Sequence, residues 1–222
     1  MCNLYNITTN QQAIRDLVSI THDRIGNLEP TLDVYPDRPA PVVRNIDGER
    51  ELARLTWGMP TPEEHRKAPD APDRGVTNVR KTWIDHWRQW LGVEYRCVVP
   101  ATAFSEYGQA PDPVTGKKPL YWFARDESQP IFFFAGIWTR WTGTRGSMKT
   151  PRPGEHELFA FLTTNPNNLV KPIHPKAMPA ILTSREEVEL WLTADWQRAK
   201  ALQRPLPNDA LQTVERELVP AS

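Results

Sequence analysis

YRCVVPATAFSEY (residues 95–107) is a run in which β-branched and aromatic side chains dominate, the composition that fits a pleated, half-buried strand. Three later segments repeat it: PLYWFARD (119–126), PIFFFAGIWTRW (130–141) and HELFAFLTT (156–164). Turn-forming residues separate these runs, so together they read as antiparallel strands. Between the third and fourth runs, TGTRGSMKTPRPGEH (142–156) gathers glycine, proline and basic residues. That composition predicts a mobile loop able to help hold a phosphate backbone, although most such loops are merely solvated.

Upstream, MCNLYNIT (1–8) reads as a short strand, and TNQQAIRDLVSI (9–20) places Ala13, Ile14, Leu17 and Val18 on one helical face. PVVR (41–44) and RELARLTWGMP (50–60) predict two more strands, followed by a charged, proline-rich loop at 62–75. In VTNVRKTWIDHWRQWLG (76–92), Trp83, Trp87, Trp90 and Leu91 recur at helical spacing and Gly92 supplies a stop. A stripe of this kind can stack bases, but it more often packs on a core. Downstream, KAMPAILT (176–183) reads as a strand, SREEVELWLT (184–193) as a helix with a Ser184–Glu187 capping box, ADWQRAKALQ (194–203) as a second short helix, and LQTVERELVP (211–220) as a closing strand. No internal repeat or domain linker interrupts the order.

A chain of 222 residues, 39% hydrophobic and 24% charged, suits one or at most two globular domains. Lys plus Arg and Asp plus Glu each number 27, so a global basic field is excluded and any nucleic-acid partner needs a local patch. Two cysteines, Cys2 and Cys97, make no disulfide framework and no C-x-x-C metal pair, which points to a reducing, cytoplasmic setting. The first thirty residues carry Arg15, Asp16, Asp23 and Arg24 without a long apolar run, which argues against a secretory signal or membrane span. Twenty-two prolines favour loops and chopped strands over long helices.

Four polar residues in strand-like or turn contexts carry candidate chemistry. Cys2 follows the initiator methionine, and a small second residue generally permits removal of Met1. The exposed α-amine and thiol then share one residue, with reference pKa values near 8 and 8.5. Such a 1,2-aminothiol condenses with an aldehyde to an imine and closes a thiazolidine ring; it also serves as an N-terminal nucleophile in amide hydrolysis. Alternatively Cys2 is a small apolar residue opening a strand. Glu106 ends the first strand run between Phe104 and Tyr107, where desolvation would raise its pKa towards neutrality and suit it to acid–base work, while a carboxylate at a strand end is ordinarily solvated. His174 lies between Pro172 and Pro175, as a proton donor or a turn residue; Asn78 either binds an anion or hydroxyl or shapes a turn.

These residues lie in motifs that resemble, in order, those of the SOS-response-associated peptidase family, also called abasic-site processing proteins. The motifs are the N-terminal MC, WGMP (57–60), the Asn-x-Arg of TNVRK (77–81), RCVVPATAFSE (96–106), AGIW (135–138) and IHPKAMPAIL (173–182). The resemblance covers nearly the whole chain. It implies a single α+β domain spanning 1–222, built around a barrel-like, mainly antiparallel sheet with short flanking helices. It further implies a monomer that binds single-stranded DNA containing abasic sites, away from membranes, without cofactor or metal. By the same likeness Cys2 forms a thiazolidine DNA–protein crosslink after loss of Met1. Asn78 positions the sugar or its phosphate, Glu106 shuttles protons, and His174 assists ring opening and crosslink reversal.

Arg80, Lys81 and Lys176 are the expected phosphate contacts, with Trp57 and Met59 as wedges beside the sugar. Some positions depart from the family pattern. Asn3 and Leu4 stand where many members have Gly-Arg, Thr82 replaces an expected glutamate, and Lys176 replaces an arginine with one residue inserted before Met178. Lysine neutralises a phosphate without gripping it bidentately. Two other functions fit the residues: an N-terminal-nucleophile amidohydrolase, which turns over, and a non-catalytic single-strand-binding module, which is indifferent to Cys2.

Overall fold

The computed structural model describes residues 2–9, 11–27, 31–66, 68 and 71–215. In chain order the elements are β1 (Tyr5–Ile7), α1 (Gln11–Leu17), β2 (His22–Asp23), β3 (Thr31–Val34), β4 (Pro39–Ile46), β5 (Glu49–Trp57), β6 (Asn78–Val79), α2 (Asp85–Arg88), β7 (Arg96–Ala101), β8 (Ala103–Tyr107), β9 (Leu120–Ala124), β10 (Phe132–Ser147), β11 (Thr150–Thr164), β12 (Met178–Pro179), β13 (Ile181–Leu182), α3 (Arg185–Thr193), α4 (Trp196–Ala199) and β14 (Gln212–Val214). Among the described residues, no helix is long and apolar enough to cross a membrane.

The opening run, 95–107, is two strands rather than one. Its first part, β7, pairs with β4 and β10; its second, β8, pairs with β1 and β9 in a different sheet. The corner between them is Thr102, whose N–H donates to the Asn6 carbonyl at 2.9 Å and whose hydroxyl donates to Asn6 Oδ1 at 3.1 Å. One continuous apolar segment therefore joins both layers.

Strands β5, β4, β7, β10 and β11 pair successively, and β11 returns to β5 through a parallel match of Leu158 with Thr56 and Phe159 with Trp57. The ring closes as a mixed five-strand barrel with α+β decoration, so the expected antiparallel barrel holds apart from this one parallel seam. Arg44 stiffens the seam. Its guanidinium bridges Glu51 at 2.6 Å and Glu157 at 2.8 Å while lying 4.1 Å above the Trp138 ring. Side chains divide by strand period. Val43, Leu52, Val98, Ala135 and Leu158 pack with Ile14, Val18, Trp87 and Trp191 of the helices, whereas Val42, Ala53, Cys97, Phe134 and Phe159 pack with Cys2, Tyr5, Phe104 and Phe123 of the second sheet.

Other expectations are corrected as well. Residues 142–156 are not a loop but the two long arms of the β10–β11 hairpin, paired out to Ser147 and Thr150. Cross-strand hydrogen bonding overrides the glycine and proline content, and Arg145 is buried instead of facing a phosphate. Its Nη2 lies 3.2 Å from Asp37 Oδ1 and its Nη1 3.9 Å from Asp73 Oδ1. Gly58 (φ +137°) and Gly75 (φ +77°) make room for it, since a Cβ there would come within 2.7 Å and 2.3 Å of its terminal nitrogens.

The long tryptophan helix shrinks to Asp85–Arg88, beyond which the chain tightens into i→i+3 turns, Trp90 N–H to the Trp87 carbonyl at 3.1 Å and Leu91 N–H to the Arg88 carbonyl at 3.3 Å; Trp87 and Trp90 are buried but Trp83 is 68% exposed. The capping box at α3 is half formed. Ser184 Oγ accepts the Glu187 N–H at 3.3 Å, while Glu187 Oε2 takes the Thr183 N–H at 2.8 Å. The 176–183 run splits into β12 and β13 around Ala180, which bonds to both Leu162 and Ala135. Of the closing strand, Gln212–Val214 pairs with β9, and 216–220 lie outside the described residues.

Arg145→Ala leaves Asp73 buried without its cation and opens a void between the two glycines, so it should lower the unfolding free energy by about 3–5 kcal/mol. A urea titration of the variant beside wild type measures this.

Candidate functional site

Chain termini ordinarily fray, but this one is built into the core. Cys2 is 1% exposed and Leu4 6%. The Leu4 carbonyl accepts the Ser105 N–H at 3.0 Å and the Ser105 hydroxyl at 3.1 Å, and the Cys2 thiol reaches the same oxygen at 3.5 Å. On the other side, Asn78 Nδ2 donates to the Cys2 carbonyl at 2.9 Å and to Thr77 Oγ1 at 2.8 Å. Asn78 Oδ1 is buried without a hydrogen-bond partner among the described residues.

β11 gathers the remaining pieces along one edge. It pairs in turn with β5 at Leu158–Phe159, with β6 at Phe161–Leu162 and with β12 at Thr163–Thr164. β6 carries Asn78 and leads to Arg80 and Lys81; the turn before β12 carries His174 and Lys176. His174 Nδ1 donates to the Ala177 carbonyl at 2.8 Å, which fixes that nitrogen as the protonated one in the neutral ring and leaves Nε2 with the lone pair. The same Nδ1 is 3.9 Å from Glu106 Oε1, near enough for their charges to couple.

Burial sets the electrostatics. The Glu106 carboxyl, 4% exposed, is pushed up by desolvation to about 7. The Cys2 thiol is pushed well above its ordinary range, first by burial and then by the Glu106 charge. Burial also lowers the His174 pKa against the opposing pull of its bond to Ala177, so the imidazole is neutral at pH 7. The arrangement thus holds a buried thiol, a carboxyl populated in both forms near neutrality, and a neutral imidazole.

The chain matches the family described as SOS response associated peptidase (SRAP) over residues 1–218. It belongs to that family. Among curated relatives it is 28% identical over 200 residues to abasic site processing protein YoqW of Bacillus subtilis, covering 86% of this chain and 80% of that one. Abasic site processing protein YobE of the same organism is 28% identical over 170 residues, covering 75% and 70%. A crystal structure of a protein from Bordetella bronchiseptica superposes with a TM-score of 0.71 at 23% identity, over 98% of this chain and 100% of that one. Another from Bacteroides thetaiotaomicron does so with a TM-score of 0.68 at 23% identity, over 96% and 90%. The two superpositions establish the fold.

Within this SRAP fold, Cys2, Asn78, Glu106 and His174 converge. Arg80 is half-buried, and its Nη2 donates to Asn165 Oδ1; Lys81 and Lys176 are exposed. Trp57 and Met59 are displaced from their expected role, because both are fully buried and have no surface to insert beside a sugar. The Trp57 indole donates to the Thr77 carbonyl at 2.9 Å and packs edge-on with Tyr5, which makes it a support for the strand bearing Asn78. Thr77, Ser105 and Asn165 escaped the sequence reading. Only adjacency to Asn78 and Glu106 marked the first two, and nothing in the sequence pairs Asn165 with Arg80.

Holding its proton up to about pH 7 while the unfolded chain ionises near 4.5, Glu106 removes stability as pH rises between those values. The loss stays constant above the folded value. Glu106→Gln should therefore be more stable than wild type at pH 8, by up to about 3 kcal/mol, with the gap closing towards pH 4. Thermal melts across that range test the sign.

Proposed function

We propose that this protein senses abasic sites in single-stranded DNA and traps them covalently through Cys2. The observation carrying this reading is that the fold fixes the second residue of the chain beside a carboxyl titrating near neutrality and a neutral imidazole. Membership of the SRAP family and the names of its relatives support the substrate class.

Hydrolysis of the Met1–Cys2 bond, which adds one water, frees the α-amine; this peptidase step on its own terminus is part of the proposal. An abasic deoxyribose is mostly a closed hemiacetal in equilibrium with its C1′ aldehyde. His174 takes the proton of the C1′ hydroxyl through Nε2 as the C1′–O4′ bond breaks, and the protonated Glu106 supplies the proton that O4′ gains. The Cys2 amine then adds to the aldehyde; Glu106, now a carboxylate, takes protons from the nitrogen and passes them to the departing oxygen, so that one water leaves and an imine forms.

Attack of the Cys2 sulfur on that imine carbon closes the thiazolidine. The thiol proton ends on the ring nitrogen. Because that nitrogen is on the same residue as the thiol, it takes the thiol proton as the sulfur attacks, so no free thiolate has to form in the buried site. Asn78 Oδ1, a buried acceptor still lacking a donor among the described residues, is placed to take a hydroxyl of the opened sugar. No cofactor enters these steps. Arg80, Lys81 and Lys176 hold flanking phosphates, one copy is sufficient for one lesion, and two free cysteines suit a cytoplasmic setting.

Denaturing electrophoresis after incubation with a single-stranded oligonucleotide bearing one abasic site, with intact mass checked for loss of Met1, tests the reading. A heat-stable adduct should form with wild type and vanish with Cys2→Ala. A folded, processed wild type that forms none would instead favour the amidohydrolase. In the same assay Glu106→Gln, unable to exchange protons, should slow adduct formation by about a hundredfold or more.

A further inference from the structure

Trp83 stands outside this chemistry. It is 68% exposed, while Trp87 and Trp90 in the same segment are buried. The turn presenting it, closed by the Ile84 N–H donating to the Lys81 carbonyl at 3.1 Å, follows directly from the strand that carries Asn78. Beside the indole opens a groove of about 810 Å³, whose lining includes Thr82, Trp83, Arg88, Trp196, Lys200 and Gln203.

Gln203 connects the groove to the site. Its Nε2 donates to the Arg80 carbonyl at 2.9 Å and to the Thr163 carbonyl at 3.0 Å, and its Oε1 accepts the Thr82 hydroxyl at 3.1 Å. The charge is also local. Arg88 and Lys200 are exposed, Arg88 in a solvent-facing pair with Asp85 at 3.3 Å and Lys200 donating to Gln197 at 2.6 Å, whereas the lining acid Asp195 accepts the Arg198 N–H at 3.0 Å as a helix cap. The lining's third cation, Arg96, is buried with donors on the carbonyls of Leu91, Trp191 and Ala194. On a chain whose net charge is zero, an exposed indole flanked by two exposed cations is a specific combination.

We propose that this groove seats the single-stranded DNA flanking the lesion, with one base stacked on Trp83 and the backbone facing Arg88 and Lys200. This deepens the abasic-site reading and rests on it. An aromatic face accepts any base, and cations on phosphates are indifferent to sequence, which is the recognition that a lesion sensor requires of flanking DNA. Trp83 is a binding residue here, remote from the reacting atoms.

The test uses undamaged DNA, so that it is independent of crosslinking. Fluorescence anisotropy with a labelled oligothymidylate should show Trp83→Ala weakening affinity roughly tenfold, with Trp83→Phe retaining most of it because a phenyl face still stacks. Arg88→Glu combined with Lys200→Glu should weaken binding and flatten its salt dependence. With abasic oligonucleotides, Trp83→Ala should erase the preference for long flanks over short ones. Unchanged anisotropy in Trp83→Ala would overturn the inference, as would a dimer that this substitution converts to monomer without change in DNA affinity. A wild type that binds oligothymidylate through Trp83 yet never crosslinks would sink the abasic-site reading and leave the groove assignment standing.

Discussion

The pinning of residues 2–7 against β8 is the constraint on which the rest depends. A free chain end samples many conformations, and ordering each residue costs about 1–2 kcal/mol. Here the carbonyls of Cys2, Leu4 and Asn6 are claimed by Asn78, Ser105 and Thr102, from two separate parts of the chain. Tyr5 is fully buried between them against Trp57 and Phe134, edge-on to both rings. Remove that anchoring and the thiol becomes a mobile tail. With it, Cys2 acquires the positional accuracy of a strand in the core.

The same burial that locates the nucleophile also makes charge expensive there. The Cys2 thiol, the Cys97 thiol and the Tyr5 phenol all have their ionisation pushed up chiefly by desolvation, and Glu106 follows to about 7. For three of these groups the consequence is neutrality. For Glu106 it is a carboxyl poised between forms, which is what proton shuttling needs. The buried guanidiniums of Arg44 and Arg145 answer a different problem, each meeting two acids from separate elements. Their role is to hold the seam of the barrel and the outer end of the hairpin.

Strand identity was largely legible in the sequence because period and composition act locally: β1, β4, β5, β9 and the core-facing parts of β10 and β11 fall where apolar runs predict them. What composition hid was anything decided by a distant partner. The corner at Thr102 depends on Asn6, and the long hairpin arms depend on each other. Cys2, Asn78, Glu106 and His174 could be named only through motifs in order, since their convergence passes through pairings of β11 that no local pattern encodes. Trp57 and Met59 were misplaced for the matching reason: proximity in sequence to a glycine turn says nothing of burial.

The departures beside the nucleophile acquire meaning from these contacts. Leu4 is buried and packs with Ala103, Trp122 and Ala124, while exposed Asn3 accepts a hydrogen bond from Thr77 at 3.3 Å. Position 4 therefore serves packing, and position 3 braces the residue before Asn78. The exposed cations Lys81 and Lys176 lie on the segments leaving β6 and entering β12, the two short strands that pair with β11 near its end. Lys176 still acts on the site through its charge, which together with burial lowers the His174 pKa and keeps that imidazole neutral beside the Glu106 carboxyl.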